Sequence, residues 1–521
     1  MPISRRNFGR ILASAAAVSA MGTGASVLAL PVERETTSRS ASGTTRSSGV
    51  VAQTGISPVA VERRDITYLL ANDSRRSASL KEFFPPYNPT WKRFWVQNWR
   101  EPSQFFEWDV IAPENGRYQV TFMASAPKGT VISMKVLGST RPLDFEFSQA
   151  KSLYPYPLPY NWARLALSEP LYLPKGHSTV RVQLQKPIEV PSTGAALKSV
   201  ELLNVAMQRQ MEDRVRAFRS NTQWLNRAKF GLMFQWGEWG YPRHGAKKKW
   251  PGMINDFDVA KFAETVASTK AGYVVWSATW ATYYFPAPIK AIDRILPGRT
   301  CKRDLIGELA DALQEHGIKL IVYYHCGHGD QRWWARNWVS NDDKRLFFHN
   351  WTNIMNEVGE RYGDRLAGWM YDDDCVYYPA PYEQLGKAAK AGFKGRIISY
   401  NPWIIPRGTD FQDIQFGEGF QGDTNTPVGG NGIYAAGPYK GLHAHGMFIL
   451  DGPDWGIFRP DTVIDLPRFN KDQAVDLALN AAARNQALSW DLLMYEDESV
   501  SMESLELMRA VGTAVRSGHP S

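Results

Sequence analysis

Between residues 231 and 494 the chain repeats one pattern: a short, almost uninterrupted apolar run stops at a polar residue, and in most intervals a stretch with apolar residues at helical spacing follows. The runs occupy 231–236, 273–277, 318–325, 366–372, 396–401, 414–418, 447–451 and 487–491, and helix-patterned stretches lie at 257–271, 303–316, 345–362, 382–391 and 471–484. A strand that is apolar along its whole length has both faces covered, the condition of a parallel sheet sheathed by helices. Eight such units predict an α/β fold, a (β/α)8 TIM-like barrel over residues 206–517. In such a barrel the functional groups gather at the carboxyl ends of the strands.

Two of the polar tips are acids. Asp372 ends the fourth run and Glu418 the sixth, so carboxyl groups from two strands are expected to face one cavity. Cleaving a glycosidic bond requires such a pair: one carboxylate against the anomeric carbon, and one carboxylic acid beside the leaving oxygen of an oxocarbenium-like transition state. Glu418 lies between Gly417 and Gly419, with Phe416 and Phe420 nearby. That apolar setting favours the protonated form, so Glu418 is expected to be the general acid/base and Asp372 the nucleophile. Asp373, Asp451 and Asp491 stand next in line as acids near run ends. The run Asp372-Asp373-Asp374 also admits a hard cation with further oxygen ligands. Alternate residues of a strand point to opposite faces, however, and neither a metal nor a cofactor is expected.

Aromatic rings stack on the apolar faces of sugars while neighbouring polar groups read the hydroxyls. The chain carries 19 Trp, 22 Tyr and 24 Phe, about half of those near the rim being expected in the core. The expected substrate-binding residues are Gln235, Trp236, Trp276, Trp280, Tyr324, His325, Asp373 and Asn401, with His328 beside His325. The expected partner is an oligosaccharide or polysaccharide. The net charge of +8 is spread among 52 acids, and the longest basic run is Lys247-Lys248-Lys249, so nucleic acid is not an expected partner.

At 521 residues the chain has room for a second domain and for flexible ends. Arg5-Arg6 precedes the mildly apolar, Ala- and Ser-rich stretch 11–30, ending in Val27-Leu28-Ala29. This resembles a twin-arginine signal peptide over 1–29, and the expectation is export to the periplasm or beyond, with no stable membrane span after cleavage. Residues 30–55 are rich in Ser, Thr and Arg without period and read as a disordered linker. Residues 56–205 hold short alternating strands such as 106–110, 116–122, 130–136, 178–184 and 197–202, which predict an all-β sandwich. Its phrasing is similar to accessory sandwiches of carbohydrate-active enzymes, and both a structural and a sugar-binding role stay open. Cys301, Cys326 and Cys375 have neither a disulfide framework nor zinc-site spacing.

The phrase Lys229-Phe-Gly-Leu-Met-Phe-Gln-Trp-Gly237 resembles the opening motif of the retaining α-L-fucosidase family of glycoside hydrolases, K-F-G-I-F-I-H-W-G. Residues 257–263 with 270–275, then 303–309 with 317–324, resemble that family's second and third units. Gly368-Trp-Met-Tyr-Asp372 stands where the family carries its nucleophile. The resemblance therefore implies a retaining, exo-acting glycoside hydrolase. It also carries departures: Gln235 stands in place of the family's first-strand His, and Thr279-Trp280-Ala281-Thr282-Tyr283-Tyr284 in place of the K-H-H-D-G-F segment. A site that discards those donors cannot read the same hydroxyls in the same way, so the expected sugar is not fucose. A sugar-binding protein without catalysis, and a metal-assisted hydrolase or lyase built on the Asp run, are the alternatives.

Overall fold

The computed structural model describes residues 50–51, 57–83, 94–139, 141–148, 162–189, 194–280, 282–327, 329–338, 343–403, 405–418 and 428–517. The expected signal peptide and most of the linker, together with Ala281 and His328, lie outside the described residues. The chain divides into two compact units with the boundary between Gln208 and Arg209.

The N-terminal unit consists of two seven-stranded sheets. One is centred on Phe105–Ala112 and Gly176–Leu184, the other on Gly116–Ser125 and Ala195–Asn204. The pairing is antiparallel except where Val59–Ala60 joins Phe105–Ala112. Inward residues of both sheets, including Trp99, Phe106, Trp108, Tyr118 and Phe122, share one core, the layered arrangement of a sandwich.

The C-terminal unit is built on seven parallel strands, β1 (Phe230–Phe234), β2 (Tyr273–Ser277), β3 (Lys319–Tyr324), β4 (Leu366–Tyr371), β5 (Ile397–Tyr400), β6 (His445–Ile449) and β7 (Ala487–Asp491), in the order β5-β4-β3-β2-β1-β7-β6. Helices Val259–Ser268, Leu305–Glu315, Arg345–Tyr362, Tyr382–Ala389 and Lys471–Ala483 alternate with them. Three of these start where the sequence supplies a capping side chain: Asp258, Asp304 and Asn470 accept the N–H of Lys261, Gly307 and Gln473.

Strand register divides the side chains into two sets. Met233, Tyr273, Val275, Ile321, Tyr323, Met370, Ile397, Met447 and Ala487 form one buried cluster on the inner face. Their alternates, among them Phe234, Trp276, Tyr324, Trp369 and Tyr371, face the helices, where Trp351 stacks on Tyr324 and Phe262 meets Trp276 edge-on. Polar groups inside are paired: Tyr273 Oη donates to the Leu488 carbonyl at 2.6 Å, and His445 spans the Phe416 carbonyl at 2.6 Å and Ser489 Oγ at 2.8 Å. Burial pushes His445 down to about 4, so the ring is neutral in this network.

The eighth expected strand, 414–418, is not a ladder strand. It meets its neighbours through isolated bridges from Ile414 to His443 and from Glu418 to Met447. The reason lies in the residues before it. Asp413 Oδ2 accepts the Ile398 N–H at 2.8 Å and Gln412 Oε1 accepts the Tyr400 N–H at 3.2 Å, so side chains take donors of β5 that a neighbouring strand would use. Gly417 adopts φ +82, and a Cβ there would lie 2.4 Å from the His445 carbonyl, a close approach that only glycine permits. Ile414 and Phe416 still join the inner cluster, so the segment supplies a strand's side chains without its full backbone pairing.

Asp413 is buried and is also met by Lys390 Nζ at 3.0 Å and by the Ser220 N–H. Asp413→Ala leaves that ammonium buried without its counter-charge. The expected result is a loss of about 3–5 kcal/mol, read as a fall in the urea midpoint, with much of it recovered in Asp413→Leu/Lys390→Met.

Candidate active site

The carboxyl ends of β3, β4 and β5 and the end of segment 414–418 bring four groups together. Asn401, one residue past β5, donates its single Nδ2 to Asp372 Oδ1 at 2.7 Å and to Glu418 Oε2. The orientation of that amide is fixed, because Asn401 Oδ1 accepts the Trp403 N–H at 3.0 Å, leaving the nitrogen to face the acids. Asp372 accepts in addition from the Tyr323 hydroxyl and from the Asp373 N–H at 2.8 Å. Both acids keep partial exposure, so a ligand can reach them.

Crowding away from water raises both acids from their ordinary ranges. Glu418 is pushed up to about 8, by desolvation first and by the negative charge of Asp372 second. Asp372 is raised by desolvation and then by Asp373, against the lowering influence of His325 and of the Tyr323 hydrogen bond. Two carboxyl groups this close do not both ionise at neutral pH. Three donors converge on Asp372, so it holds the charge and Glu418 holds the proton.

Asp373 is turned away from its neighbour by a left-handed backbone, φ 63. Its Oδ2 meets His325 Nε2 at 2.8 Å and Cys326 Sγ at 3.3 Å. His325 Nδ1 accepts the Gly327 N–H at 3.2 Å, which leaves the ring proton on Nε2 facing Asp373. Burial pushes the Cys326 thiol well up, so S–H donates. The donor atoms of His325, Cys326 and Asp373 lie within 4.8 Å of one another, so among the described residues this is the triad that could hold a metal. A cation there would have to displace two protons already shared with Asp373. Asp374 turns elsewhere, to the Tyr382 hydroxyl, and the three aspartates of the run therefore do not converge on one ion.

The aromatic expectations divide by face. Trp280 is half-buried and forms a wall of the site, stacking on Tyr323 and Phe458, each at 5.8 Å, and meeting His325 at a tilt at 4.9 Å. Trp236, Trp276 and Tyr324 are not in the site. Trp236 packs against Phe257 and donates its indole N–H to the Glu496 carbonyl at 3.2 Å, Trp276 is enclosed by Phe257 and Phe262, and Tyr324 shares a hydroxyl contact with Tyr283 against Trp351. Each sits one residue out of phase with the inward set. Gln235 is in phase and buried. Tyr323, Trp455 and Phe458 belong to the site or its walls and were not expected from the sequence, while Cys326, whose place just after the third run allowed either the site's border or packing, borders it. Counting back two from His325 would have found Tyr323.

An inner pair of carboxyl groups joined through one donor at parallel strand ends is the equipment of a glycoside hydrolase. More narrowly, residues 254–390, a stretch that includes Asp372, match the alpha-L-fucosidase family, which relates this part of the chain to that family of glycoside hydrolases. Comparison with curated proteins finds no match. Among solved structures, an endo-fucoidan hydrolase from glycoside hydrolase family 107 is similar with a TM-score of 0.44 and 14% identity, covering 59% of this chain and 54% of that one. The alpha-L-fucosidase AlfC from Lactobacillus casei follows with a TM-score of 0.40 and 14% identity over 59% of this chain and 99% of that one. A GH29 alpha-L-fucosidase from Bacteroides thetaiotaomicron has a TM-score of 0.42 and 15% identity over 56% and 74%. The match thus spans about half the length of the fucoidan hydrolase.

The raised Glu418 makes stability depend on pH. An acid at about 8 in the folded chain against an ordinary 4.5 binds its proton more tightly when folded, so its contribution is fully present below about 4.5 and is lost as pH rises through about 8. Glu418→Gln removes that loss. The variant is expected to gain melting temperature over wild type at pH 8.5 and to gain little at pH 4.5, a difference that thermal melts at the two pH values measure directly.

Proposed function

We propose that the chain is an exported, retaining, exo-acting glycoside hydrolase with Asp372 as nucleophile and Glu418 as general acid/base, acting on a sugar other than fucose. The observation that carries this reading is the shared donor Asn401 Nδ2, within hydrogen-bond reach of both acids. Two oxygens bonded to one nitrogen lie no more than roughly 6 Å apart, which suits the roughly 5–5.5 Å carboxyl separation of retaining enzymes better than the 6.5–9.5 Å of inverting ones. In this reading segment 414–418 fills the eighth place of a barrel, between β5 and β6, and the N-terminal sheets form an accessory domain. The Arg5-Arg6 signal supports twin-arginine export; among the described residues no helix is long and apolar enough to cross a membrane.

The steps balance with these groups alone. The Asp372 carboxylate forms a bond to the anomeric carbon as the glycosidic C–O bond breaks, and Glu418 gives its proton to the leaving oxygen. Glu418, now ionised, takes a proton from water as that water displaces Asp372, which leaves with its bonding electrons and restores both acids. Tyr323 and Asn401 steady the charge on Asp372 as it is spent and regained. Fucose is disfavoured because the segment that would hold it is otherwise engaged: Thr279 Oγ1 donates to the His325 carbonyl at 2.7 Å and accepts the His325 N–H at 2.9 Å, and Tyr283 stacks on Trp333 at 3.6 Å.

Asp372→Asn is expected to fold normally and lose most turnover on an aryl glycoside that the wild type cleaves, with partial rescue by azide; near-wild-type turnover would refute the nucleophile. Glu418→Ala is expected to cost about 100- to 10,000-fold on glycosides with poor leaving groups and much less on activated aryl glycosides. Wild-type kcat/KM is expected to fall as pH rises through about 8, where Glu418 loses its proton, and that limb is expected to vanish in Glu418→Ala. A first-formed sugar of inverted configuration, seen by NMR, would overturn retention. Aryl α-L-fucosides are expected to be poor substrates, and cleavage rivalling the best glycoside would show the fucose grip to be intact.

A further inference from the structure

Two buried polar groups without a partner lie at the ends of neighbouring strands of the inner face, apart from the equally unpaired Ser399 Oγ on β5. Gln235, at the end of β1, is 2% exposed and its Oε1 has no hydrogen-bond partner. Asp491, at the end of β7, is fully buried with neither carboxyl oxygen paired. They are neighbours: Asp491 is the register partner of Met233, two residues before Gln235. Asp491 is in phase with Ala487 of the inner cluster and with Ser489, which bonds to His445 within it. Buried groups of this kind destabilise the fold while unpaired.

A run of aromatic contacts leads from the acid pair to the neighbourhood of these two groups. Tyr323, which donates to Asp372, stacks under Trp280, and Trp280 stacks on Phe458. Two residues before Phe458, Gly456 approaches the Gln235 carbonyl so closely that a Cβ would lie 3.3 Å from it, and Trp455 packs against the inner cluster. Counted in either direction through segment 414–418, β7 stands four positions from β4, opposite Asp372. A barrel of eight strands is only wide enough there for one small ligand.

Resting on the glycosidase reading, we infer that Gln235 and Asp491 form a hydroxyl-reading subsite across from Asp372, which selects a neutral sugar with adjacent hydroxyls over one carrying sulfate or carboxylate at that position. A hydroxyl both donates and accepts, so it satisfies the Gln235 oxygen and the Asp491 carboxyl together. A sulfate or carboxylate offers acceptors only; it leaves the Gln235 oxygen unpaired and brings a negative charge beside Asp451 and Asp454, against the one cation Arg468 that also faces Asp491. Burial and Asp451 push the Asp491 carboxyl well up, so it meets the sugar as a neutral acid.

The test uses the full chain with 4-nitrophenyl glycosides of neutral pyranoses and of glucuronic acid, and with neutral and sulfated polysaccharides assayed for released sugar. Wild type is expected to favour a neutral glycoside by about 100-fold or more in kcat/KM. Asp491→Leu and Gln235→Leu are expected each to lower that value about 10- to 100-fold, about what one unpaired polar group is worth. Asp491→Asn, which keeps a donor and an acceptor, is expected to recover most of the loss, and melting curves verify that each variant is folded. If Asp372-dependent turnover is found but both Leu variants stay within twofold of wild type, or if the best substrate is acidic or sulfated, the subsite is wrong and the glycosidase stands. If no glycoside is cleaved and Asp372→Asn changes nothing, the glycosidase reading fails and takes the subsite with it.

Discussion

Two carboxyl groups drawn from separate strands repel one another unless something between them supplies a donor and holds still, and in this protein that something is the amide of Asn401. Its backbone N–H is tied to the Tyr371 carbonyl at 2.7 Å, its carbonyl accepts the Asp374 N–H at 2.9 Å, and its side-chain oxygen takes the Trp403 N–H. With every other polar atom committed, Nδ2 has one place to point. The division of labour between the acids follows: the member that also receives the Tyr323 hydroxyl and the Asp373 N–H keeps the charge, and the other keeps the proton. Asp373 serves this arrangement indirectly, since its left-handed backbone, held by His325 and Cys326 through its carboxyl, is what aims its N–H back at Asp372.

The strands were legible because both of their faces are buried, and the same fact hid which way their residues point. A continuous apolar run such as Lys319–Tyr324 marks a parallel strand well, but it shows no alternation from which an inner face could be read. Trp236, Trp276 and Tyr324 sit at strand ends beside true inward groups and differ from them only in phase. The polar tips carry the missing phase: His325, Asp372 and Asn401 are inward, and stepping back by two from each gives Tyr323, Met370 and Ser399. Trp455 and Phe458 could not be reached in this way, because they come from the long connection between β6 and the helix Lys471–Ala483, where no period exists to be counted.

The irregular eighth segment shows a different limit. Its sequence, Ile414-Gln-Phe-Gly-Glu418, has the composition of a strand, and its apolar residues do what a strand's would. What the composition does not reveal is that Gln412 and Asp413 bond to the backbone of β5 in its place. Side chains that satisfy a neighbouring strand compete with the ladder for the same N–H groups, and a glycine with positive φ at 417 then lets the chain close on β6. The consequence falls on Glu418. It is positioned by a bridge to Met447 and by Asn401 more than by a ladder on both sides, so the geometry of the proposed proton donor depends on the same amide that holds the proposed nucleophile.

Divergence from the fucosidase pattern can be followed as a redistribution of polar groups around one ring of strand ends. At the end of β2, where the family resemblance would place basic residues, stand Thr279, whose hydroxyl is spent on the backbone of His325, and Trp280, which offers a flat face. A wall that has become aromatic reads the apolar side of a ring but not its hydroxyls. Hydrogen-bonding capacity within the inner face persists elsewhere, on Gln235 of β1 and Asp491 of β7, and in both it is buried and unpaired. Leaving such groups unpaired costs stability in every unliganded molecule. In the proposed reading, a site that carries this cost beside a charged acid and a protonated one is organised around a ligand, because apolar side chains at the same two positions would have served packing without it.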